Sequence, residues 1–217
     1  MSSTRIKICG ITNVQDAHAV VAGGADAIGL NFFADSPRSV TVERARQIAE
    51  VIPPFVEIVA LFVDEPAASI ERILSVVPIS LIQFHGEESA DFCEQFARPW
   101  IKSVRVRERL DLAQVCRDYR SARGILLDSW QPGVHGGTGK TFDWQLAQAA
   151  LSLPVILAGG LHAGNVGEAI RALRPAAVDL SSGVERAPGL KDAARIRQFV
   201  AAVRAVDQEL DDVTHDD

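Results

Sequence analysis

The chain has 217 residues, and its 28 Asp and Glu outnumber its 22 Lys and Arg, which gives a net charge of −6. This acidic balance argues against a nucleic-acid or anionic-membrane partner, either of which favours a basic face, and no apolar run approaches the roughly 18 residues of a membrane span. The three cysteines, Cys9, Cys93 and Cys116, are an odd number without a CxxC pair. We therefore expect reduced thiols in a cytoplasm, not a disulfide framework or a zinc site.

Short runs rich in β-branched residues alternate with amphipathic helical stretches along the chain. Several runs, such as residues 125–127, are almost entirely apolar, as expected for a parallel strand covered on both faces. Their spacing, on the order of 20–30 residues, fits a strand followed by a crossover helix. The sequence predicts eight strands: Arg5–Cys9, Ala27–Phe32, Glu57–Val63, Leu81–His85, Ile101–Val106, Gly124–Asp128, Val155–Ala158 and Ala177–Ser181.

Capping residues and prolines mark the predicted helices. Small polar residues are good N-caps, and proline suits a first helical turn. The last helix is predicted from Asp192 to about Leu210, followed by an acidic tail over residues 211–217 that should fray. The other predicted starts are Asn13 for a helix through Ala22, Thr41 for the second helix, Pro66 for the third and Asn165 for the seventh.

The repeated strand–helix unit predicts an α/β protein with one (β/α)8 barrel domain over residues 1–217. A doubly wound open sheet is the competing architecture. It usually needs fewer strands and often has a GxGxxG turn after the first strand, whereas this chain has Cys9-Gly10-Ile11-Thr12 there. In a barrel, the chemistry belongs at the C-terminal ends of the strands.

Cys9 and Asp128 each end a predicted strand. A free cysteine on its own is more often packing than catalysis, and an aspartate can simply cap the next loop. A carboxyl at a half-buried strand end tends to have a raised pKa, which suits a general acid. We expect the two groups to face each other across the barrel mouth as an acid and base pair. Cys93 and Cys116 lie in helical patterns and are expected to be structural.

Glycine and serine follow the last two strands, at Gly160, Ser182 and Gly183. In barrels, backbone N–H groups of these two loops often bind phosphate, although any barrel also needs such turns. The segment 136–141, Gly-Gly-Thr-Gly-Lys-Thr, lacks the first glycine of a P-loop. We expect it to be a lid or a further source of N–H groups rather than an ATP site.

Charged and polar residues near the strand ends add further candidates. Lys7 shares a face with Cys9, so it could lower the pKa of the thiol, form an imine with a carbonyl substrate, or pair with an inward acid. We favour the pair over the imine. Arg38, in the loop after the second strand, could bind a carboxylate or be a solvated charge. His85 shares a strand face with Gln83 and is expected to be a satisfied core group.

Taken together, these segments resemble the phosphoribosylanthranilate isomerase family of tryptophan biosynthesis. The matching blocks occur in the family's order from residue 7 to the last helix, and the ordered set is far more specific than any single block. Phe84 stands where family members commonly have leucine, which affects packing more than chemistry. The blocks lie at residues 7–12, 24–40, 60–65, 83–88, 125–129, 136–144, 157–161, 165–166 and 178–185.

The resemblance implies an Amadori rearrangement of N-(5-phosphoribosyl)anthranilate. Asp128 matches the family's acid, which protonates the furanose ring oxygen, and Cys9 matches the base, which removes the C2′ proton. Arg38 matches the arginine that holds the anthranilate carboxylate, and Asp179 lines the site. Gly160, Ser182 and Gly183 match the phosphate loops. The resemblance implies no metal and no organic cofactor.

Two alternatives stay open beside the isomerase. One is a phosphosugar aldolase or epimerase that uses Lys7 or a carboxylate base, and borohydride trapping of a lysine adduct would favour the aldolase. The other is a non-catalytic barrel that binds a phosphorylated ligand without turnover. In each case we expect a small phosphorylated molecule as the partner, and we take the chain to be a monomer.

Overall fold

The computed structural model describes residues 3–106, 110–128 and 151–213. Eight parallel strands pair in chain order, and the eighth pairs with the first, so the sheet closes into a barrel. This closure confirms the barrel and rules out the open doubly wound sheet. The strands are β1 (Arg5–Cys9), β2 (Ala27–Asn31), β3 (Glu57–Phe62), β4 (Leu81–Phe84), β5 (Trp100–Arg105), β6 (Ile125–Asp128), β7 (Val155–Leu157) and β8 (Ala177–Leu180).

Helices follow the strands through the described residues. None of them combines the length and the apolar character that a membrane crossing requires. The predicted caps hold at Asn13 and Thr41, whose side chains accept hydrogen bonds from Asp16 N and Arg44 N. The helices are α1 (Val14–Ala22), α2 (Val42–Ala49), α3 (Ala67–Val76), α4 (Ala90–Glu94), α5 (Leu112–Asp118), α6 (Val166–Leu173) and α7 (Ala193–Val213).

The last helix is longer than the sequence predicts. Helix α7 continues to Val213 instead of ending near Leu210. The fraying of the acidic tail stays a prediction for residues 214–217, which lie outside the described residues. The glycine-rich segment 136–141 lies outside them as well, so its expected role as a lid also stays a prediction.

Alternation along the strands divides the apolar side chains into two sets. One set, which includes Ile6 and Ile8 of β1, packs in the large core cluster with residues of the surrounding helices. A small cluster of Ile101, Leu126 and Ala158 packs apart from it. Because Lys7 and Cys9 alternate with the first set, they belong to the inner face of the barrel.

A small hairpin after β8 was not predicted from the sequence. A 3-10 helix over Ser182–Val184 leads into β9 (Glu185–Ala187), which pairs antiparallel with β10 (Leu190–Lys191). The hydroxyl of Thr12 donates to the carbonyl of Gly189 at 2.5 Å and ties the hairpin to the loop after β1. The hairpin therefore places Glu185 and Lys191 beside the mouth of the barrel.

Candidate active site

A cavity of about 590 Å³ opens at the C-terminal ends of the strands. Its size is that of a small-molecule site, and its position is the one that barrel enzymes use for chemistry. The lining residues are Cys9, Gly10, Asn31, Phe33, Ser36, Arg38, Leu61, Val63, Gln83, His85, Arg105, Asp128, Ala158, Gly159, Gly160, Leu161, Asp179, Leu180, Ser181 and Ser182.

Six of the seven residues that the family resemblance assigns to the site line this cavity. Cys9 and Asp128, the predicted base and acid, are both on its wall, together with Arg38, Asp179, Gly160 and Ser182. Gly183 is not part of the lining, although it lies close to Leu161, which is. The expectation that the chemistry lies at the C-terminal ends of the strands therefore agrees with the position of this cavity. Residues more than a hundred positions apart in the chain meet there.

Cys9 is buried, with 8% of its surface exposed. Burial is the largest influence on its thiol and raises the pKa above the ordinary value, although the ammonium groups of Lys7 and Lys191 act in the opposite direction. The Asp179 carboxylate adds to the increase. The expectation that Lys7 produces a lowered thiol pKa is therefore wrong, because Lys7 does not outweigh the loss of solvation.

Lys7 forms a buried ion pair with Asp179, and Nζ lies 2.9 Å from Oδ1. The two residues are register partners on neighbouring strands β1 and β8. Burial disfavours the charge of Lys7, but Asp179 and Cys9 hold the pKa of its ammonium above the ordinary value. The paired role predicted for Lys7 is confirmed. The protonated amine is a poor nucleophile, which counts against the imine.

Asp128 ends β6 and has His85 as a neighbour. Nε2 of His85 lies 3.3 Å from Oδ2 of Asp128, and the amide of Gln83 donates to Nδ1 of His85 at 2.9 Å. Because Nδ1 accepts this bond, the neutral ring carries its hydrogen on Nε2, toward Asp128. The prediction that His85 is a core group is wrong, since it stands half-buried on the cavity wall beside the proposed acid.

Arg38 forms a two-point ion pair with Glu185. Nε lies 2.8 Å from Oε1, and Nη2 lies 2.6 Å from Oε2. Burial alone would raise the pKa of Glu185, but hydrogen bonds from Arg38 and Lys191 lower it to about 2. Sequence reasoning missed Glu185 and Lys191, although Glu185 lies only two positions after Gly183 in the predicted phosphate loop.

The two predicted phosphate loops are in close contact. Gly159 and Gly160 both have positive φ angles, 90° and 64°, which glycine adopts without strain. A side chain at Gly183 would overlap the carbonyl oxygen of Leu161, so only glycine lets the loops approach this closely. Asn165 has the N-cap position of α6 without capping it. Its side chain instead donates to Gly160 O at 3.0 Å and accepts from His162 N at 2.8 Å.

Comparison with known proteins assigns the chain to a family. The model of the family described as N-(5′-phosphoribosyl)anthranilate isomerase matches residues 6–202, which is most of the chain. The chain belongs to this family. The resemblance seen in the ordered sequence blocks is thereby confirmed.

Individual members of the isomerase family match over almost their whole length. The N-(5′-phosphoribosyl)anthranilate isomerase of Pseudomonas putida strain W619 is 55% identical over 204 residues, which cover 94% of this chain and 99% of the relative. A family crystal structure in complex with reduced 1-(o-carboxyphenylamino)-1-deoxyribulose 5-phosphate has a TM-score of 0.81 at 39% identity, covering 93% and 99%. Monomers of the dimeric isomerase from Thermotoga maritima reach 0.81 at 35% identity, covering 93% and 98%.

Proposed function

We propose that Cys9 and Asp128 are the base and the acid of the reaction that this isomerase performs. The chain is a phosphoribosylanthranilate isomerase of tryptophan biosynthesis. It converts N-(5-phosphoribosyl)anthranilate into 1-(2-carboxyphenylamino)-1-deoxyribulose 5-phosphate, which replaces the aldolase, epimerase and passive-binder alternatives. The observation that supports the two assignments is that the thiol of Cys9 and the carboxyl of Asp128 line the same cavity as the glycine-rich loops.

Ring opening comes first in the proposed mechanism. Asp128 gives a proton to the furanose ring oxygen while the lone pair of the anthranilate nitrogen forms a double bond to C1′. The bond between C1′ and the ring oxygen breaks, and an iminium ion results. Without the acid, the leaving oxygen would depart as an alkoxide, and general acid catalysis of such a step contributes about 10²–10⁴-fold.

Proton removal at C2′ follows. The ionised form of Cys9, which is the minor form in the free enzyme, takes the C2′ proton as a thiolate. The electron pair of the C–H bond moves into the iminium, whose nitrogen becomes neutral. The enolamine then loses its 2′-hydroxyl proton and gains a proton at C1′, so the overall reaction is proton-neutral. The iminium nitrogen is the electron sink, so this chemistry needs no organic cofactor. A thiol with a raised pKa is a strong base once ionised.

Substrate binding is assigned to the residues around this pair. Arg38 would bind the anthranilate carboxylate, since its pair with Glu185 uses Nε and Nη2 and does not involve Nη1. Gly160 and Ser182 would bind the phosphate, while Gly183 would keep the two loops at the distance that this requires. Asp179 would keep the Lys7 ammonium fixed beneath Cys9.

Substitution of the two reacting groups tests the assignment. Cys9→Ala and Asp128→Asn should each lower kcat by about 10²–10⁴-fold, with substrate affinity and far-UV circular dichroism little changed. Loss of phosphoribosylanthranilate fluorescence measures turnover. Cys116→Ala is the matched control, because this thiol is buried in α5 away from the cavity. Near-normal turnover in either active-site variant would remove that residue from the mechanism.

We further propose that the chain is a monomeric, single-domain enzyme of the cytoplasm. One chain supplies both proposed reacting groups and both glycine-rich loops, and all three cysteines are free thiols, as a reducing compartment favours. Phe55 is the feature that a second copy could cover, because it is 99% exposed. Light scattering across a range of concentrations should give the mass of one chain, and cell fractionation should place the enzyme in the soluble cytoplasmic fraction. A concentration-dependent doubling in mass would replace the monomer with a dimer.

A further inference from the structure

We propose that Glu185 is a positioning residue that holds Arg38 for the substrate carboxylate and so sets the preference for a carboxylated aryl group. The inference rests on the proposed role of Arg38. Glu185 engages the side of the guanidinium through Nε and Nη2, at 2.8 and 2.6 Å. Only 4% of the Glu185 side chain is exposed, against 24% for Arg38. The carboxylate is therefore fixed in the protein, while the guanidinium reaches the cavity.

Glu185 is itself held by several partners. Nζ of Lys191 lies 2.8 Å from Oε1, and the backbone N–H of Gly189 donates to the same oxygen at 3.3 Å. Lys191 has no exposed side-chain surface. It also donates to the carbonyl and the hydroxyl of Ser181, both at 3.1 Å. A carboxylate with this many fixed donors has little freedom to turn, so it can serve as a rigid support for Arg38.

The stem of Arg38 is restrained as well. Gly10 has a φ of 74°, and a Cβ atom at this position would lie 2.6 Å from Cδ of Arg38. The absence of a side chain at Gly10 is what lets the arginine run along the β1 loop. Arg38 is thus fixed at its stem by packing and at its head by Glu185, which lowers the entropy lost when it binds an anion.

Charge balance explains why two cations accompany one carboxylate. Arg38 and Lys191 each carry a positive charge and Glu185 carries a negative one, so the three groups together keep one net positive charge. Had Glu185 paired with Arg38 alone, the pair would be neutral and its attraction for a substrate carboxylate would be weaker. Lys191 compensates Glu185 from the buried side and leaves the charge of Arg38 effective toward the cavity.

A comparison of two substrates separates positioning from general support of the fold. The probes are N-(5-phosphoribosyl)anthranilate and its decarboxylated analogue N-(5-phosphoribosyl)aniline, measured as a ratio of kcat/KM. Glu185→Gln keeps the size of the side chain but removes its charge. We expect the loss of the fixed orientation of Arg38 to outweigh the positive charge that the substitution uncovers, so the preference for the carboxylated substrate should fall by roughly tenfold, mainly through KM. In an Arg38→Ala background, the same change should have no further effect on the preference.

Glu209→Gln is the matched control. Glu209 forms the same two-point pair with Arg171, at 3.0 and 2.6 Å, but on the exposed surface between α6 and α7. This control should leave the preference unchanged. Glu185→Asp is a second test if Glu185→Gln folds poorly, because it keeps the charge but is one methylene too short to hold both guanidinium nitrogens. It too should reduce the preference.

The outcomes distinguish a failure of the role proposed for Glu185 from a failure of the carboxylate contact proposed for Arg38. If Arg38→Ala lowers the preference but Glu185→Gln and Glu185→Asp lower kcat/KM equally for both substrates, Glu185 is only structural and the inference fails. A further loss of preference from Glu185→Gln in the Arg38→Ala background would overturn the action through Arg38. If Arg38→Ala keeps the preference, the proposed carboxylate contact itself is wrong, and the inference falls with it.

Discussion

At the scale of single residues, burial controls the thiol of Cys9 more than its charged neighbours do. Lys7 is close enough to favour the thiolate, but its ammonium is paired with Asp179 at 2.9 Å, and the carboxylate raises the pKa of the thiol again. The positive charge of Lys7 beside Cys9 is thus partly cancelled by Asp179, which lies 172 positions from Lys7 in the chain. In the free enzyme most of Cys9 is therefore a thiol near neutral pH.

The alkylation of Cys9 should show this protonation state. We expect its reaction with iodoacetamide to be slow at neutral pH and to accelerate with a midpoint above that of free cysteine, because only the thiolate reacts. Peptide mass spectrometry measures the rate at each pH. Cys93 is an internal reference that should stay unmodified in the folded protein, since it is fully buried and its pKa is raised to about 12. A midpoint below that of free cysteine would contradict the burial argument.

The same residues show what a sequence can reveal about a site. Cys9 and Asp128 could be found because each ends a strand, and barrel closure brings strand ends together. Asp179 lies one position before the end of β8, and only the family resemblance pointed to it. His85 was misjudged although its pairing with Gln83 on one face was correct. At the C-terminal end of a strand, the inner face is the cavity wall and not the packed core. The alternation of side chains along a strand shows which face of the sheet a residue is on, but it does not show how far along the barrel axis that residue lies.

At the scale of elements, the proposed phosphate site depends on the close approach of the loops after β7 and β8. Gly183→Ala should separate them, because its methyl group would meet backbone atoms of Leu161 that cannot move alone. A displacement of about 1 Å at a substrate-positioning loop can cost on the order of 10²-fold. We expect a fall of this order in kcat/KM, with weaker inhibition by inorganic phosphate.

Gly167→Ala is the control for this prediction. The added methyl group in α6 would meet side-chain atoms of Val206 and Arg171 instead of backbone. It should leave the kinetic constants unchanged. Unchanged phosphate inhibition in Gly183→Ala would contradict the proposal that phosphate binding depends on the contact between the two loops.

The β9–β10 hairpin is an element that could not be predicted from the sequence. Its strands have three and two residues, too few for any periodicity to be read. Its position depends on tertiary contacts such as the bond from Thr12 to Gly189. Glu185 and Lys191 were missed for this reason. The barrel strands could be predicted from their apolar runs and from their place in the repeating strand–helix unit, which identifies even the three residues of β7.

At the scale of the whole molecule, the two ends of the barrel have different tasks. The cavity lies at the C-terminal ends of the strands, whereas a polar network closes the N-terminal end. Asp207 of α7 accepts hydrogen bonds from the backbone N–H and the hydroxyl of Thr4, at 3.1 and 2.6 Å. Arg204 donates to Asp207 at 3.1 Å and also to the Thr4 carbonyl. These bonds attach the last helix to the first strand.

Asp207→Ala should therefore reduce stability without altering catalysis. Removing Asp207 leaves the buried donors of Thr4 and the half-buried guanidinium of Arg204 without this acceptor, and such a loss costs about 1–3 kcal/mol. Urea unfolding should show a lower midpoint, while kcat and KM stay at their original values because the substitution is at the opposite end from the cavity. Asp212→Ala, at an exposed position of the same helix, should change neither property. A lowered kcat in Asp207→Ala would show that the two ends of the barrel are coupled, since a stability defect alone cannot slow the folded enzyme.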